Sequence, residues 1–212
     1  DIKSIKFIIT PSTGTTHMDL DYLKKRKIVV KSLKNTKMVN KIYASSEFTF
    51  LMLLSAFKNF YDGIANVKIG YWRQNEKKFR GNEISGKTLG IIGFGRIGSN
   101  VAKYALSMGM IVNFYDPYKK SNNSKIQKIT NLYQMLKKSD AVVVSVHLNN
   151  ETNNLMNKKF FSSIKKDAII INSSRGEILK DSELIKFLKK NKKSKAVIDV
   201  IRNEQTEQIK DN

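Results

Sequence analysis

The chain has 212 residues, no cysteine and two histidines, His17 and His147, with 39 Lys and Arg against 18 Asp and Glu, a formal net charge of +21. That length buries the core of one large domain, or of one domain plus part of another, while a disulfide framework, a thiolate metal site and a histidine-rich metal site are excluded. Only six of the basic residues are Arg and the lysines are spread over every predicted element, so the charge reads as solvated surface that concentrates anionic ligands, not as a nucleic-acid face.

Residues 4–10 read as a strand, 11–16 as a polar turn built on Pro11 and Gly14, 19–26 as a helix and 28–32 as a second strand. Apolar residues then crowd a long helix over 44–60, with a looser tail to Gly70, and the charged residues 71–86 read as a linker or covering loop. The apolar run 48–56 is too short to span a bilayer, and the opening residues lack the apolar core and cleavage pattern of a signal peptide. A cytoplasmic protein with no membrane attachment is expected.

The segment 87–116, KTLGIIGFGRIGSNVAKYALSMGMIVNFYD, carries the clearest chemistry. A short apolar run over 88–92 reads as a buried strand, Gly93, Gly95 and Gly98 follow with G-x-G-x-x-G spacing, and then come an amphipathic helix, a second apolar run and an acid. This is the order of parts in a dinucleotide-binding βαβ unit. The first glycine permits the tight turn, the second lets backbone approach a pyrophosphate, and the third lets helix and strand pack closely. The helix that begins at Arg96 and Ile97 points its N–H groups and positive dipole end at the phosphates. Asp116, 18 residues beyond Gly98, sits where a carboxylate accepts hydrogen bonds from the adenosine ribose and repels a 2′-phosphate. NAD is therefore favoured over NADP, although Lys119 and Lys120 lie close enough in sequence to soften that preference.

Beyond it, 126–138 has helical spacing, with Ile126, Ile129, Leu132, Tyr133 and Leu136 on one face. The near-continuous apolar run 141–148 reads as a strand buried on both faces, 158–166 as a short helix and 167–172 as a strand. A helix over 181–190, capped by Asp181 or Ser182, and a strand over 195–201 complete the pattern. Such alternation implies an α/β fold, a Rossmann-type doubly wound parallel sheet with its crevice at the carboxyl ends of the strands. Gly93, Asp116, His147, Asn172 and Asp199 stand at those ends, followed by the polar segments VHLNNET, INSSRGE and DVIRNE.

In these segments the chain resembles the D-isomer-specific 2-hydroxyacid dehydrogenases, which include phosphoglycerate dehydrogenases, glyoxylate/hydroxypyruvate reductases and D-lactate dehydrogenases. GKTLGIIGFGRIG with YDPY looks like the family's cofactor fingerprint, and SVHLNNETNNLMN like its strand-end segment, with Leu148 in place of the usual proline. INSSRGEILKDSEL matches the arginine segment, and AVIDVIRNE is similar to the segment bearing the catalytic acid, with Gln205 where a proline is usual. Upstream, STGTTHMDLDYLKKRKIVV looks like the substrate loop and ASSEFTFLMLL like the interdomain helix.

The resemblance implies roles. Arg175 would bind the substrate carboxylate and polarise the 2-oxo group, its guanidinium staying charged at any physiological pH. Glu204 matches the acid that pairs with a catalytic histidine and raises its pKa. Asp199 would face the nicotinamide carboxamide, backbone N–H groups around Thr13 and Gly14 would hold the substrate carboxylate, and Pro117, Thr152 and Ser173 would contact the cofactor. His147 is expected to be structural or a cofactor neighbour rather than a general acid, and His17 a loop residue. The implied organisation is the C-terminal part of a smaller, flavodoxin-like substrate domain (1–43), an interdomain helix and linker (44–86) and an NAD-binding domain (87–212), with a homodimer formed through the last.

The family's catalytic histidine lies beyond the acid, between a proline and a glycine, whereas this sequence ends eight residues past Glu204 without such a segment. Both ends fall inside predicted structure, which favours a fragment of a longer reading frame over a truncated paralogue. The expected function is NAD-dependent hydride exchange with a D-2-hydroxy or 2-oxo acid, phosphoglycerate dehydrogenase-like. The alternative is a non-catalytic NAD-sensing module, like the corepressors that share this fold.

Overall fold

The computed structural model describes residues 4–15, 18–73 and 76–202. The chain divides into two compact units, Asp1–Ala44 and Ser45–Asn212.

The first unit is a single parallel crossover. Strand β1 (Phe7–Thr10) leads into helix α1 (Leu20–Lys25) and returns as β2 (Val29–Ser32), with Phe7 opposite Val29 and Thr10 opposite Ser32. Asp19 caps α1 by accepting the Tyr22 N–H at 2.9 Å. Leu23 and Ile28 are buried between helix and strands. Two turns of 3-10 helix, Leu33–Asn35 and Lys37–Lys41, lead out of β2.

The second unit begins with helices α2 (Ala44–Phe57), α3 (Phe60–Lys68) and the single turn α4 (Glu76–Phe79). The sheet and its helices follow in chain order as β3 (Thr88–Ile92), α5 (Arg96–Ser107), β4 (Ile111–Tyr115), β5 (Ile126–Lys128), α6 (Leu132–Lys138), β6 (Ala141–Val144), α7 (Lys158–Ser163), β7 (Ile169–Asn172), α8 (Asp181–Lys190) and β8 (Lys195–Ile198). The six strands are all parallel in the order β5-β4-β3-β6-β7-β8. Numbered from β3, that is the doubly wound order 3-2-1-4-5-6, with the switch point between β3 and β6. Every residue of β6 and β7 is buried, as the runs AVVV and IIIN require. Leu89, Ile91, Phe114 and Val143 pack with α2 and α5 on one face of the sheet. Ile92, Val142, Val144 and Ile170 pack with α6, α7 and α8 on the other. Phe94 stacks on Phe114 at 4.0 Å between ring centroids, which seats the glycine turn on the first of these cores.

Several elements differ from the sequence expectation. Residues 126–138 do not form one helix. Ile126 is buried and pairs with Val112 as the edge strand β5, and the helix starts only at Leu132, where the Asn131 side chain accepts the Gln134 N–H. The long helix of 44–60 breaks after Phe57, because Asn59 takes a left-handed φ of 51° and the Phe57 carbonyl accepts the Asn82 N–H from outside. The expected loop 71–86 carries the turn α4. The α8 cap falls on Lys180, without a side-chain bond, not on Asp181 or Ser182. Strand β6 ends at Val144 instead of running to Leu148; Ser145 still donates its N–H to the Ile92 carbonyl at 2.8 Å while its hydroxyl donates to the Gly93 carbonyl at 2.8 Å.

Candidate functional site

The glycine turn is built by three different constraints. Gly93 has φ 89°, and its N–H donates to the Tyr115 carbonyl at 2.9 Å; a Cβ there would also lie 2.5 Å from the Ser145 carbonyl oxygen. Gly98 is helical, but its Cβ would stand 2.1 Å from the Gly93 oxygen and 2.7 Å from Ser145 Oγ. Gly95 is the N-cap of α5, and a Cβ on it would meet nothing within 4 Å. Two glycines are thus demanded by the protein's own packing. At the third, Gly95, a side chain would enter open space. The α5 dipole places its positive end at that space, which suits an anion.

Asp116, one residue past β4, is held by the backbone. Its Oδ2 accepts the Phe94 N–H at 2.8 Å, and its Oδ1 accepts the N–H groups of Tyr118 at 2.8 Å and Lys119 at 3.0 Å. The carboxylate therefore ties the glycine turn to the loop after β4. Lys128 adds a second tie, donating from Nζ to the Lys119 carbonyl at 2.8 Å.

Opposite, residues 147–152 form a self-bonded turn. Asn149 Oδ1 accepts the N–H groups of Glu151 and Thr152, both at 2.9 Å. The Thr152 hydroxyl donates to the His147 carbonyl at 2.6 Å and accepts the Asn149 N–H at 2.8 Å. Between this turn and the glycine turn lies a cavity of about 320 Å³. Of the sequence-derived cofactor residues, Gly93, Gly95, Asp116, Pro117, His147 and Thr152 line it. Arg96, Ile97 and Gly98 form the first turn of α5 beside it, with Ile97 packed against the core.

The sequence reading missed Tyr118, Ser145, Asn149 and Glu151, which also line the cavity. Ser145 had a signal: it is the first polar residue after AVVV, at the switch-point strand end. Glu151 had only its adjacency to Thr152.

A second group of predicted residues gathers past β7 and β8. Buried Asn172 organises the turn: its Oδ1 accepts the Ser174 N–H at 3.1 Å and its Nδ2 donates to the Arg175 carbonyl at 3.2 Å. The Ser174 hydroxyl donates to the Val144 carbonyl at 2.7 Å, locking the turn to β6. Ser173 Oγ lies 2.7 Å from the hydroxyl of Thr49, which itself reaches the Ser45 carbonyl at 2.7 Å, so β7 is tied to α2. Half-buried Arg175 donates from Nη1 to the Ser174 carbonyl at 2.6 Å. At Gly176 a Cβ would lie 2.0 Å from the Ile201 carbonyl carbon and 2.2 Å from the Arg202 nitrogen. The chain after β8 therefore passes directly over the arginine turn, and Arg202 fastens it there through Asn154 Oδ1 and the Glu177 and Leu179 carbonyls. Asp199 donates its N–H to the Asn172 carbonyl at 3.0 Å, with its side chain exposed.

Thr13 and Gly14 belong to the first unit, where the Gly14 N–H donates to Ser12 Oγ at 3.0 Å. Glu204 and His17 lie outside the described residues. Among the described residues, no helix is long and apolar enough to cross a membrane.

Residues 50–211 match the family described as D-isomer specific 2-hydroxyacid dehydrogenase, NAD binding domain. The chain is 30% identical over 205 residues to a D-3-phosphoglycerate dehydrogenase of Methanocaldococcus jannaschii, covering 95% of this chain and 38% of that protein. It is 32% identical over 207 residues to a glyoxylate reductase of Thermococcus litoralis, covering 94% and 61%. In fold it is similar to the D-lactate dehydrogenase of Aquifex aeolicus solved with NAD and lactic acid, with a TM-score of 0.80, 32% identity and coverage of 94% of this chain and 59% of that one. The chain thus spans between about two fifths and three fifths of the length of these relatives.

Proposed function

This chain belongs to the D-isomer specific 2-hydroxyacid dehydrogenase family, and on that premise we propose that it binds NAD and serves hydride transfer between the nicotinamide and a D-2-hydroxy or 2-oxo acid. The observation that carries the reading is the pairing of Gly95, whose missing side chain leaves space unused by the protein, with the Asp116 carboxylate on the same cavity. A pyrophosphate fits the first, against the α5 N-terminus, and an adenosine ribose fits beside the second. The nicotinamide, when bound, supplies or accepts the hydride.

The chain's own residues would do the rest. The Asn172-organised turn presents Arg175 at the carboxyl end of β7, where its guanidinium would hold the substrate carboxylate and stabilise negative charge developing on the 2-oxo oxygen. Its present bond to the Ser174 carbonyl leaves further N–H donors for that purpose. Asp199 would orient the carboxamide. Glu204 would raise the pKa of an imidazole so that it donates a proton to the substrate oxygen; no histidine follows Glu204 in the sequence. Thr13 would offer its N–H to the substrate carboxylate, a part the Gly14 N–H can take only by leaving Ser12 Oγ. A phosphoglycerate dehydrogenase-like substrate preference is the finer form of the proposal, supported by likeness alone.

NADH fluorescence titration, followed by assays with glyoxylate, hydroxypyruvate and 3-phosphohydroxypyruvate, tests it. Saturable NADH binding is expected, with slow oxidation of NADH by at least one of the three. A folded sample that fails to bind NADH removes the proposal.

We also propose that the second unit pairs with a second copy of itself. Helices α2 and α3 expose Phe48, Leu51, Phe60, Tyr61, Ile64 and Val67, each at least 40% accessible, and exposed apolar side chains of this kind suit a protein interface. Sedimentation equilibrium should give twice the chain mass, and Leu51→Lys with Phe60→Lys should return it to the monomer; a wild-type monomer at tens of micromolar rejects the pairing.

A further inference from the structure

Two carboxylates line the cavity, and their acceptor capacity is not equally committed. Asp116 already takes backbone N–H groups on both oxygens. Glu151 takes only a long bond, from the Tyr118 hydroxyl at 3.4 Å, among those seen for its side chain. That bond joins the loop after β4 to the turn after β6, both of which line the cavity. Tyr118 is 79% exposed, while Ile92, Val146 and Leu155 supply apolar wall. The self-bonded turn of Asn149 and Thr152 fixes where the Glu151 backbone stands. Nothing in catalysis uses this pair.

We infer that Glu151, positioned by Tyr118, is a specificity residue for the base of the dinucleotide, accepting a hydrogen bond from the exocyclic 6-amino group of adenine. This rests on the proposal that the cavity holds the adenosine half of NAD. With pyrophosphate at Gly95 and ribose at Asp116, the base is left the part of the lining that Tyr118 and Glu151 supply. An anionic acceptor there rewards a 6-amino donor. It meets a 6-oxo group, as in hypoxanthine, with lone pairs facing a negative charge.

The test is a titration of the full chain with NADH and with its deamino analogue, nicotinamide hypoxanthine dinucleotide in reduced form, for the wild type, Glu151→Ala, Glu151→Gln and Tyr118→Phe, with thermal melts to confirm folding. The wild type should bind NADH about tenfold more tightly than the deamino form, of the order of one hydrogen bond to a charged acceptor. Glu151→Ala should bring the two within twofold by weakening NADH. Glu151→Gln, whose amide can donate to a 6-oxo group, should narrow the ratio or reverse it. Tyr118→Phe should narrow it partway. Equal wild-type affinities, or a ratio unchanged in Glu151→Ala, overturns the assignment while leaving NAD binding intact. Absence of NADH binding in folded wild type overturns the cofactor proposal itself, and this inference with it.

Discussion

Gly95 and Gly98 look equivalent in sequence, yet their environments predict opposite phenotypes for the same added methyl group. At Gly98 the new Cβ would lie 2.1 Å from the Gly93 carbonyl oxygen, 2.7 Å from Ser145 Oγ and 3.1 Å from Ile91 Cγ2. The hydroxyl can rotate away, but the carbonyl belongs to a turn whose N–H is itself bonded to Tyr115. Helix α5 must then move off strand β3. Alanine gains about 1 kcal/mol of helix propensity over glycine, and overpacking against backbone costs about 3 kcal/mol or more, so Gly98→Ala should lose roughly 2 kcal/mol of stability. At Gly95 the methyl group meets nothing within 4 Å. Its cost is the difference between glycine and alanine at an N-cap, about 0.5–1 kcal/mol.

The ligand-bound states separate the two further. The space that the Gly95 methyl would fill is the one assigned to the pyrophosphate, so Gly95→Ala should stay folded and weaken NADH at least tenfold. Urea denaturation gives the stabilities and NADH fluorescence the affinities. Gly98→Ala as stable as wild type would refute the packing argument. Gly95→Ala with undiminished NADH affinity would place the pyrophosphate elsewhere.

Asp140, just before β6, gives a pH prediction. Burial pushes its carboxyl up, but the bond from Lys165 at 2.7 Å, the Thr88 N–H at 2.8 Å and the Lys165 and Lys87 charges outweigh it, so the net pKa is below the ordinary value. The unfolded chain then binds the proton more readily than the folded one, so this stabilisation is full above the ordinary carboxylate pKa and is lost as pH falls through the lower folded value. Asp140→Ala should cost about 1–1.5 kcal/mol at neutral pH, discounted for partial exposure, and the gap between wild-type and variant melts should close as pH falls through that lowered folded value; a gap independent of pH refutes the ion-pair account. Asp116→Asn replaces one acceptor oxygen by an amide donor facing backbone N–H groups, so it should destabilise the protein by about 1–3 kcal/mol even without cofactor; an unchanged melt would mean that the carboxylate serves the ligand alone. Gly176→Ala should displace the Ile201–Arg202 peptide and expose the chain after β8 to limited proteolysis, whereas an unaltered digestion pattern would show that the turn can yield.

What the sequence revealed of the fold follows from which signals are local. Strand β3 and helix α8 were read with their observed bounds because each carries its whole pattern: TLGII is apolar without interruption, and residues 181–190 repeat at helical spacing. Strand β5 was hidden because three residues have no periodicity of their own, and Ile126 and Ile129 fit a helical face as well as an edge strand. What decides is the pairing of Ile126 with Val112, a contact fourteen residues back in the chain. The break at Asn59 is likewise set from outside, by Asn82 and by Lys195, which donates to the Ala56 carbonyl at 2.9 Å.

The same rule divides the candidate site. The glycine spacing and the acid after β4 are legible because they follow one another along the chain. Ser145 and Gly98 lie 47 residues apart, and that the serine Oγ would be only 2.7 Å from a Gly98 Cβ depends on β3 and β6 being neighbours at the switch point. Glu151 depends on still more, since its meeting with Tyr118 needs β4 and β6 both placed around β3 and the Asn149 turn folded between them. Residues that touch the constant part of a dinucleotide can therefore sit inside one βαβ unit. A residue proposed to face the base, such as Glu151, comes from a loop brought there only by the finished sheet, which is why the phosphate and ribose contacts are easier to read from a sequence than the base contact.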